Sequence, residues 1–172
     1  MKMTHTLEIA HTWQGFPLAD EERTEVRMAL TDTELRLWLE APYHGDPAPA
    51  QPAGSTERLW EYEVVEIFLV GADGRYIEIE MGPQGHYLVL FFKDVRCLEK
   101  AHIPLAFQAK ISGPAWQGSA RLAREHLPLP LTRVNAFAIH GQGEKRRYLC
   151  AHPTGGGVPD FHQPALFPPL PC

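Results

Sequence analysis

Hydrophobic and polar residues alternate along much of this chain in short runs, the period-two pattern of half-buried strands. TEVRMAL (24–30) alternates, TDTE turns, and LRLWLEA (35–41) alternates again, which predicts a hairpin. Leu35, Leu37 and Leu39 share one face; Arg36, Trp38 and Glu40 share the other. A Pro- and Gly-rich segment, 42–57, has no period and is predicted to be a loop. Three strands then follow, 62–70, 75–81 and 86–92, joined by GADG and GPQG, as a meander. Further strands are predicted at 106–112, 116–123, 134–141 and 146–151, and REHLPLPL (124–131) holds a short helical turn before its prolines stop it. The tail, 152–172, is Pro- and Gly-rich and is predicted to be irregular. About nine short strands at regular spacing imply an all-β fold, an antiparallel β-sandwich in one domain spanning 1–172, with a barrel as the structural alternative.

Parity places the chemistry. LWEYEVVEIF (59–68) puts three glutamates on what reads as a central strand. A three-residue loop, Ala72–Gly74, sets apolar residues against apolar ones, Leu69 opposite Ile77 and Ile67 opposite Ile79. Glu66 then lies opposite Glu80, and Phe68 opposite Glu78. Taking 82–85 as the next turn sets Tyr87 across from Glu80, with Val89 and Phe91 following on the same face. Glu61 and Glu63 share parity with Val65 and Ile67 and belong at the strand's entry, where burial has not begun or must be compensated. Like charges directly opposed destabilise a strand pair. The offset expected for Glu66 and Glu80 is water, an arginine or lysine, a bound cation, or a ligand rich in hydroxyls. Carboxylates beside aromatic rings suit sugars, because carboxylates accept hydroxyl hydrogen bonds and rings cover apolar CH faces.

Composition narrows the partners. The net charge of −5 argues against general nucleic-acid binding, and Lys145-Arg146-Arg147 is too short to reverse it. No apolar run reaches the length of a membrane-spanning helix, and the N-terminal residues lack the apolar core of a signal peptide, so no membrane association is expected. The three cysteines, Cys97, Cys150 and Cys172, fit neither a zinc motif nor a disulfide framework, and a cytoplasmic protein is the simplest expectation. Hydrolase, nucleotide-binding and zinc-protease motifs do not occur. Opposed on adjacent strands, Glu66 and Glu80 are too close for the roughly 5–9 Å of a glycosidase pair. A shared proton or a cation suits them better. Asp160 and His162 flank Phe161 in PDFH and point the same way in extended chain, so they either tie the tail down or join Glu66 and Glu80 as metal-ligand candidates.

Taken in order, HTWQGFPL (11–18), LWEYEVVEIF, YIEIEMGPQGHYLVL (76–90), NAFAIHG (135–141) with EKRRY after it, and PDFH (159–162) resemble a family of small uncharacterised proteins. That family is related to family-nine carbohydrate-binding modules and DOMON-like domains, and the resemblance runs from about His11 to Leu170. It implies a jelly-roll-like sandwich. Among the relatives, sugars lie between tryptophans, for which Trp60, Trp38 and Trp116 are the candidates here. Calcium is implied as a possible structural ion, to be met by Asp and Glu oxygens. Haem in the relatives takes Met and His, but parity sends Met81 to the core and away from His86.

Residues and resemblance together predict a non-catalytic binding domain for a carbohydrate or other polyhydroxylated small molecule. Its expected ligand-binding residues are Trp60, Glu66, Phe68, Glu78, Glu80, Tyr87, His140 and Arg146. One alternative is an enzyme using Glu66 and Glu80 with His86 or His140. The other is a structural or adaptor domain presenting loop 42–56.

Overall fold

A computed structural model of the chain describes residues 3–171. Alternating strands bury one face each, and two sheets close over those faces. In chain order the strands are β1 (Met3–Ile9), β2 (His11–Thr12), β3 (Thr24–Leu30), β4 (Glu34–Pro42), β5 (Gly54–Ser55), β6 (Val64–Gly71) and β7 (Tyr76–Met81). They continue with β8 (His86–Asp94), β9 (Cys97–Lys100), β10 (Ala106–Ser112), β11 (Ala115–Ala123), β12 (Leu131–His140) and β13 (Arg147–Cys150). One sheet is ordered β1-β3-β4-β11-β10. The other is ordered β2-β13-β12-β6-β7-β8-β5, with β9 paired to β8. All pairings are antiparallel except the two-residue contact of β5 with β8. The helical pieces among the described residues are three-residue 3-10 turns, one of them Arg124–His126. The expected all-β antiparallel sandwich is the fold.

Leu35, Leu37 and Leu39 of β4 do face the core, where they meet Val65, Ile67 and Leu69 of β6 and Ile77, Ile79 and Met81 of β7. β1, β2, β5 and β9 were not expected as strands. β2 and β5 are two residues long and carry no period.

The feature that positions the site is a second apolar layer on the outside of the larger sheet. Phe68, Tyr76, Leu88, Leu90, Phe92, Phe137 and Ile139 lie there, under Leu59 on one side and Phe161 and Phe167 of the tail on the other. Every residue of β6 and β7 is therefore buried, on both faces. The tail, which includes the 3-10 turn Pro164–Leu166, is a lid on this face rather than a loose end. Arg133 fixes it by donating to the Phe167 carbonyl at 2.6 Å, and the Leu170 N–H donates to the Thr132 carbonyl at 2.9 Å. Cys172 lies outside the described residues.

Register between β6 and β7 is as predicted, Glu66 opposite Glu80 and Phe68 opposite Glu78. The next hairpin differs by one residue. Gly82 N–H donates to the His86 carbonyl at 2.8 Å, so the loop is Pro83-Gln84-Gly85, closed by Gly85 at φ +92°. Met81 then pairs with Tyr87 and Glu80 with Leu88. A one-residue slip exchanges the faces. Tyr87, Val89 and Phe91 turn to the inter-sheet side, and Leu88, Leu90 and Phe92 join the carboxylates. Tyr87 is thus excluded from the acidic face.

Candidate functional site: carboxyls beneath an aromatic pocket

Glu66, Glu78 and Glu80 sit mid-strand within the outer apolar layer, at 1%, 4% and 0% exposure. One carboxyl oxygen from each lies within 4.8 Å of the others. Among the described residues, no donor group reaches any oxygen of Glu66 or Glu80. The protons they can draw on are those the carboxyls share among themselves. Burial penalises the charged form. It raises the Glu66 carboxyl to about 7, against the attraction of Arg146. It also raises Glu78 and Glu80 well above the ordinary range, with repulsion from Glu66 adding to the effect.

The nearby arginines are committed elsewhere. Arg146 donates to the backbone carbonyls of Trp60 at 2.6 Å, Gly141 at 3.0 Å and Tyr62 at 3.4 Å. It braces the turn carrying Trp60 and contributes field, but no hydrogen bond, to the carboxyls. Arg96 pairs with Asp160 at 2.6 Å. The expected arginine offset of the Glu66–Glu80 pair is therefore only long-range.

Glu66 and Glu78 form part of the wall of a pocket of about 400 Å³. Trp60, Phe92, Tyr148 and Phe161 supply its aromatic surfaces, and Arg96, Asp160 and His162 its other polar groups. His162 comes from the tail. Its Nδ1 lies 2.7 Å from the Tyr76 hydroxyl, and that hydroxyl accepts the Arg96 N–H at 3.0 Å. If the tyrosine proton goes to Nδ1, the ring proton sits on Nε2, facing Glu78 Oε2 at 3.7 Å. Burial, with repulsion from Arg96, lowers His162 to about 4, so the ring is neutral at pH 7.

The predicted site residues thus divide. Trp60, Glu66 and Glu78 line the pocket, and Glu80 completes the carboxyl cluster beside them. Phe68 is fully buried, packed edge-on to Phe137, Phe167 and His162, and supports the site from beneath. His140 lies elsewhere: it stacks on His44 at 3.5 Å and hydrogen-bonds Glu22 at 2.9 Å. It belongs to an ion-pair cluster at the end of β12, because the following turn carries it past the apolar layer. His86 is also held apart, its Nε2 at 2.7 Å from the Gln51 carbonyl. Met81 is in the core, as parity required. Trp38 is on the outside of the smaller sheet and Trp116 is buried in the core, so neither faces Trp60. Asp160 and His162 do meet the site, as wall and brace, with Asp160 held by Arg96. Sequence reasoning missed Arg96, Tyr148, Phe161 and Phe92. Phe92 was hidden by the one-residue slip; the others come from separate segments that only the tail's path brings together.

A further trio lies on the exposed surface away from the pocket. Ser55 Oγ is 2.6 Å from His102 Nδ1, and Glu57 is 2.7 Å from His102 Nε2.

No family model matches the chain. Among solved structures, a Bacteroides uniformis protein proposed to bind carbohydrate superimposes with a TM-score of 0.71 at 20% identity, covering 96% of this chain and 84% of that one. A family-nine carbohydrate-binding module from Caldicellulosiruptor kristjanssonii, in complex with cellotriose, gives 0.47 at 15% identity, over 74% of this chain and 65% of that one. The chain is 36% identical over 164 residues to the human UPF0462 protein C4orf33, covering 90% of this chain and 82% of the human one. It is 34% identical over 172 residues to the mouse homolog, covering 95% and 89%. At that identity across nearly its whole length, the chain belongs to the UPF0462 family.

Proposed function

We propose that this protein is a non-catalytic binding domain whose pocket takes a carbohydrate or a related polyhydroxylated small molecule. The observation that carries the reading is the combination around one pocket of Trp60, Tyr148 and Phe161 with the carboxyls of Glu66 and Glu78. Rings cover the CH faces of a sugar, and carboxyl groups donate to or accept from its hydroxyls according to protonation. The volume, about 400 Å³, suits one or two sugar rings. Arg96 and Asp160 at the pocket supply a further donor and acceptor. The Bacteroides uniformis protein of the same fold, itself proposed to bind carbohydrate, supports the same class of ligand. Titration calorimetry against mono- and oligosaccharides tests this. Binding of one sugar class, weakened about tenfold or more by Trp60→Ala, is the expected result; no heat with any sugar, with or without added calcium, overturns it.

A second reading, acid–base catalysis in the same pocket, is favoured by one observation. Glu78 Oε2 and His162 Nε2 stand 3.7 Å apart, close enough to act on a common point. The expected histidines, His86 and His140, are not the ones that meet this condition. Turnover of a bound sugar or its aryl glycoside, lost in His162→Gln and in Glu78→Gln, would establish it; binding without turnover leaves the first reading.

A further inference from the structure

The four oxygens of Glu66 and Glu80 are the least satisfied polar atoms of the outer layer. Both side chains are almost fully excluded from solvent and converge, with Glu78, on one point beside the pocket. Burying carboxyl oxygens without donors is costly, and native proteins almost always supply a partner. Here the backbone of β6 and β7 is consumed in the ladder, and Arg146 and Arg96 are committed elsewhere. An apolar residue at any of the three positions would have suited the surrounding Phe68, Leu88 and Leu90 better. Three carboxyls instead converge where one would already need an explanation.

We propose that Glu66, Glu78 and Glu80 form a binding site for a hard divalent cation at the wall of the pocket. The donors are all oxygen, with no sulfur and no ring nitrogen, which selects calcium, magnesium or manganese over zinc or copper. The oxygens lie within 4.8 Å of one another, and the shells of these ions put opposed oxygens roughly 4–5 Å apart. Three carboxylates around a +2 ion leave one net negative charge, which the field of Arg146 offsets. In the metal-free protein the carboxyls share protons, and the cation displaces them. Three carboxylates rarely complete a shell of six or more, so open positions remain, and Glu66 and Glu78 border the pocket. Ligand hydroxyls filling those positions is an extension that rests on the sugar reading; the cation site does not.

Chelator-treated full chain is titrated with calcium, magnesium and manganese chlorides, without sugar, by calorimetry and thermal unfolding at pH 7.5. The expected result is one ion per chain, a Tm that rises with ion concentration, and at least a hundredfold loss of affinity in Glu66→Gln/Glu80→Gln. Should that variant not fold, as judged by circular dichroism, the single variant Glu80→Gln and terbium luminescence on the unaltered chain, with competition by calcium, provide the readout. No ion bound at millimolar concentration, or affinity unchanged in the folded variants, overturns the proposal whatever the sugars do. Sugar titrations in chelator are run separately, so a failed ligand reading and a failed cation site give different patterns.

Discussion

Two groups of buried or half-buried glutamates, at the two ends of the same short stretch of sheet, are treated in opposite ways. At the end of β12, Glu63 accepts the N–H groups of His44 at 3.1 Å and Asp46 at 3.2 Å. Beside it, Glu22 accepts two hydrogen bonds from Arg147, one at 2.6 Å to Oε1, and one from His140 at 2.9 Å. Three residues further on, Glu66 of β6 has Glu80 and Glu78 beside it and no hydrogen-bond donor among the described residues. The first group is accounted for by the protein alone: its carboxylates fasten the 42–57 loop and the turn after β12. The second has no structural task that a leucine would not perform better. Buried charge that is fully partnered belongs to the scaffold, whereas unpartnered charge beside a cavity points to something that binds there.

That contrast can be broken by substitution. Glu63→Ala strands two backbone N–H groups and is expected to lower stability by about 2–3 kcal/mol, measured by denaturant unfolding. Glu66→Gln/Glu80→Gln, in chelator at pH 8, is expected to be neutral or to stabilise by about 1–2 kcal/mol, since it removes charge that burial disfavours. Comparable losses in both experiments would mean that the outer carboxyls are as structural as the inner ones.

Glu22 of the first group and Glu66 of the second should also respond to pH with opposite sign, whereas burial raises Glu63 in the same direction as Glu66. The Glu66 carboxyl is raised to about 7 by burial, against an ordinary 4.5. In metal-free protein its contribution is fully present below 4.5 and is lost as pH rises through about 7. Glu22 is lowered: burial raises it, but hydrogen bonds from Arg147 and His140 outweigh that. Its contribution is present above 4.5 and is lost as pH falls through its folded value. His162, lowered to about 4, adds a loss of stability as pH falls below 6.5, which opposes the Glu66 slope. Differences between wild type and variant isolate each group. The Tm of Glu66→Gln/Glu80→Gln should gain on wild type as pH rises from 4.5 through 7. The deficit of Glu22→Gln should shrink as pH falls below 4.5. Parallel slopes would erase the distinction. The smallest expected effect on stability belongs to Trp60→Ala, within about 0.5 kcal/mol of wild type in Tm-derived stability because the ring is 39% exposed, while its sugar affinity falls.

Much of this was legible in the sequence, and the part that was not has a physical cause. Alternation gave nine of the thirteen strands, and burial gave the Glu66–Glu80 register, because a slip would have set leucine against glutamate. Tyr87 was misplaced because a Gly-Pro-Gln-Gly turn closes with either of two loop lengths, and only the Gly82–His86 pairing decides between them. The larger omission is the tail. PDFH and the prolines around it have no period, so nothing local says that Phe161, His162 and Phe167 cover the outer face. Without that cover, Glu66, Glu78 and Glu80 read equally well as a solvated polar face. His140 was selected by its position at a strand end, but its partner Glu22 lies 118 residues away in sequence, a distance across which no local pattern carries.

The most direct measurement is a crystal structure of the full chain soaked in manganese chloride, with anomalous difference density calculated at the manganese edge. The account predicts one strong peak on the outer face of the larger sheet, with oxygens of Glu66, Glu78 and Glu80 at about 2.1–2.3 Å from it. No peak there, with the three carboxyls hydrogen-bonded to one another by shared protons, would contradict it.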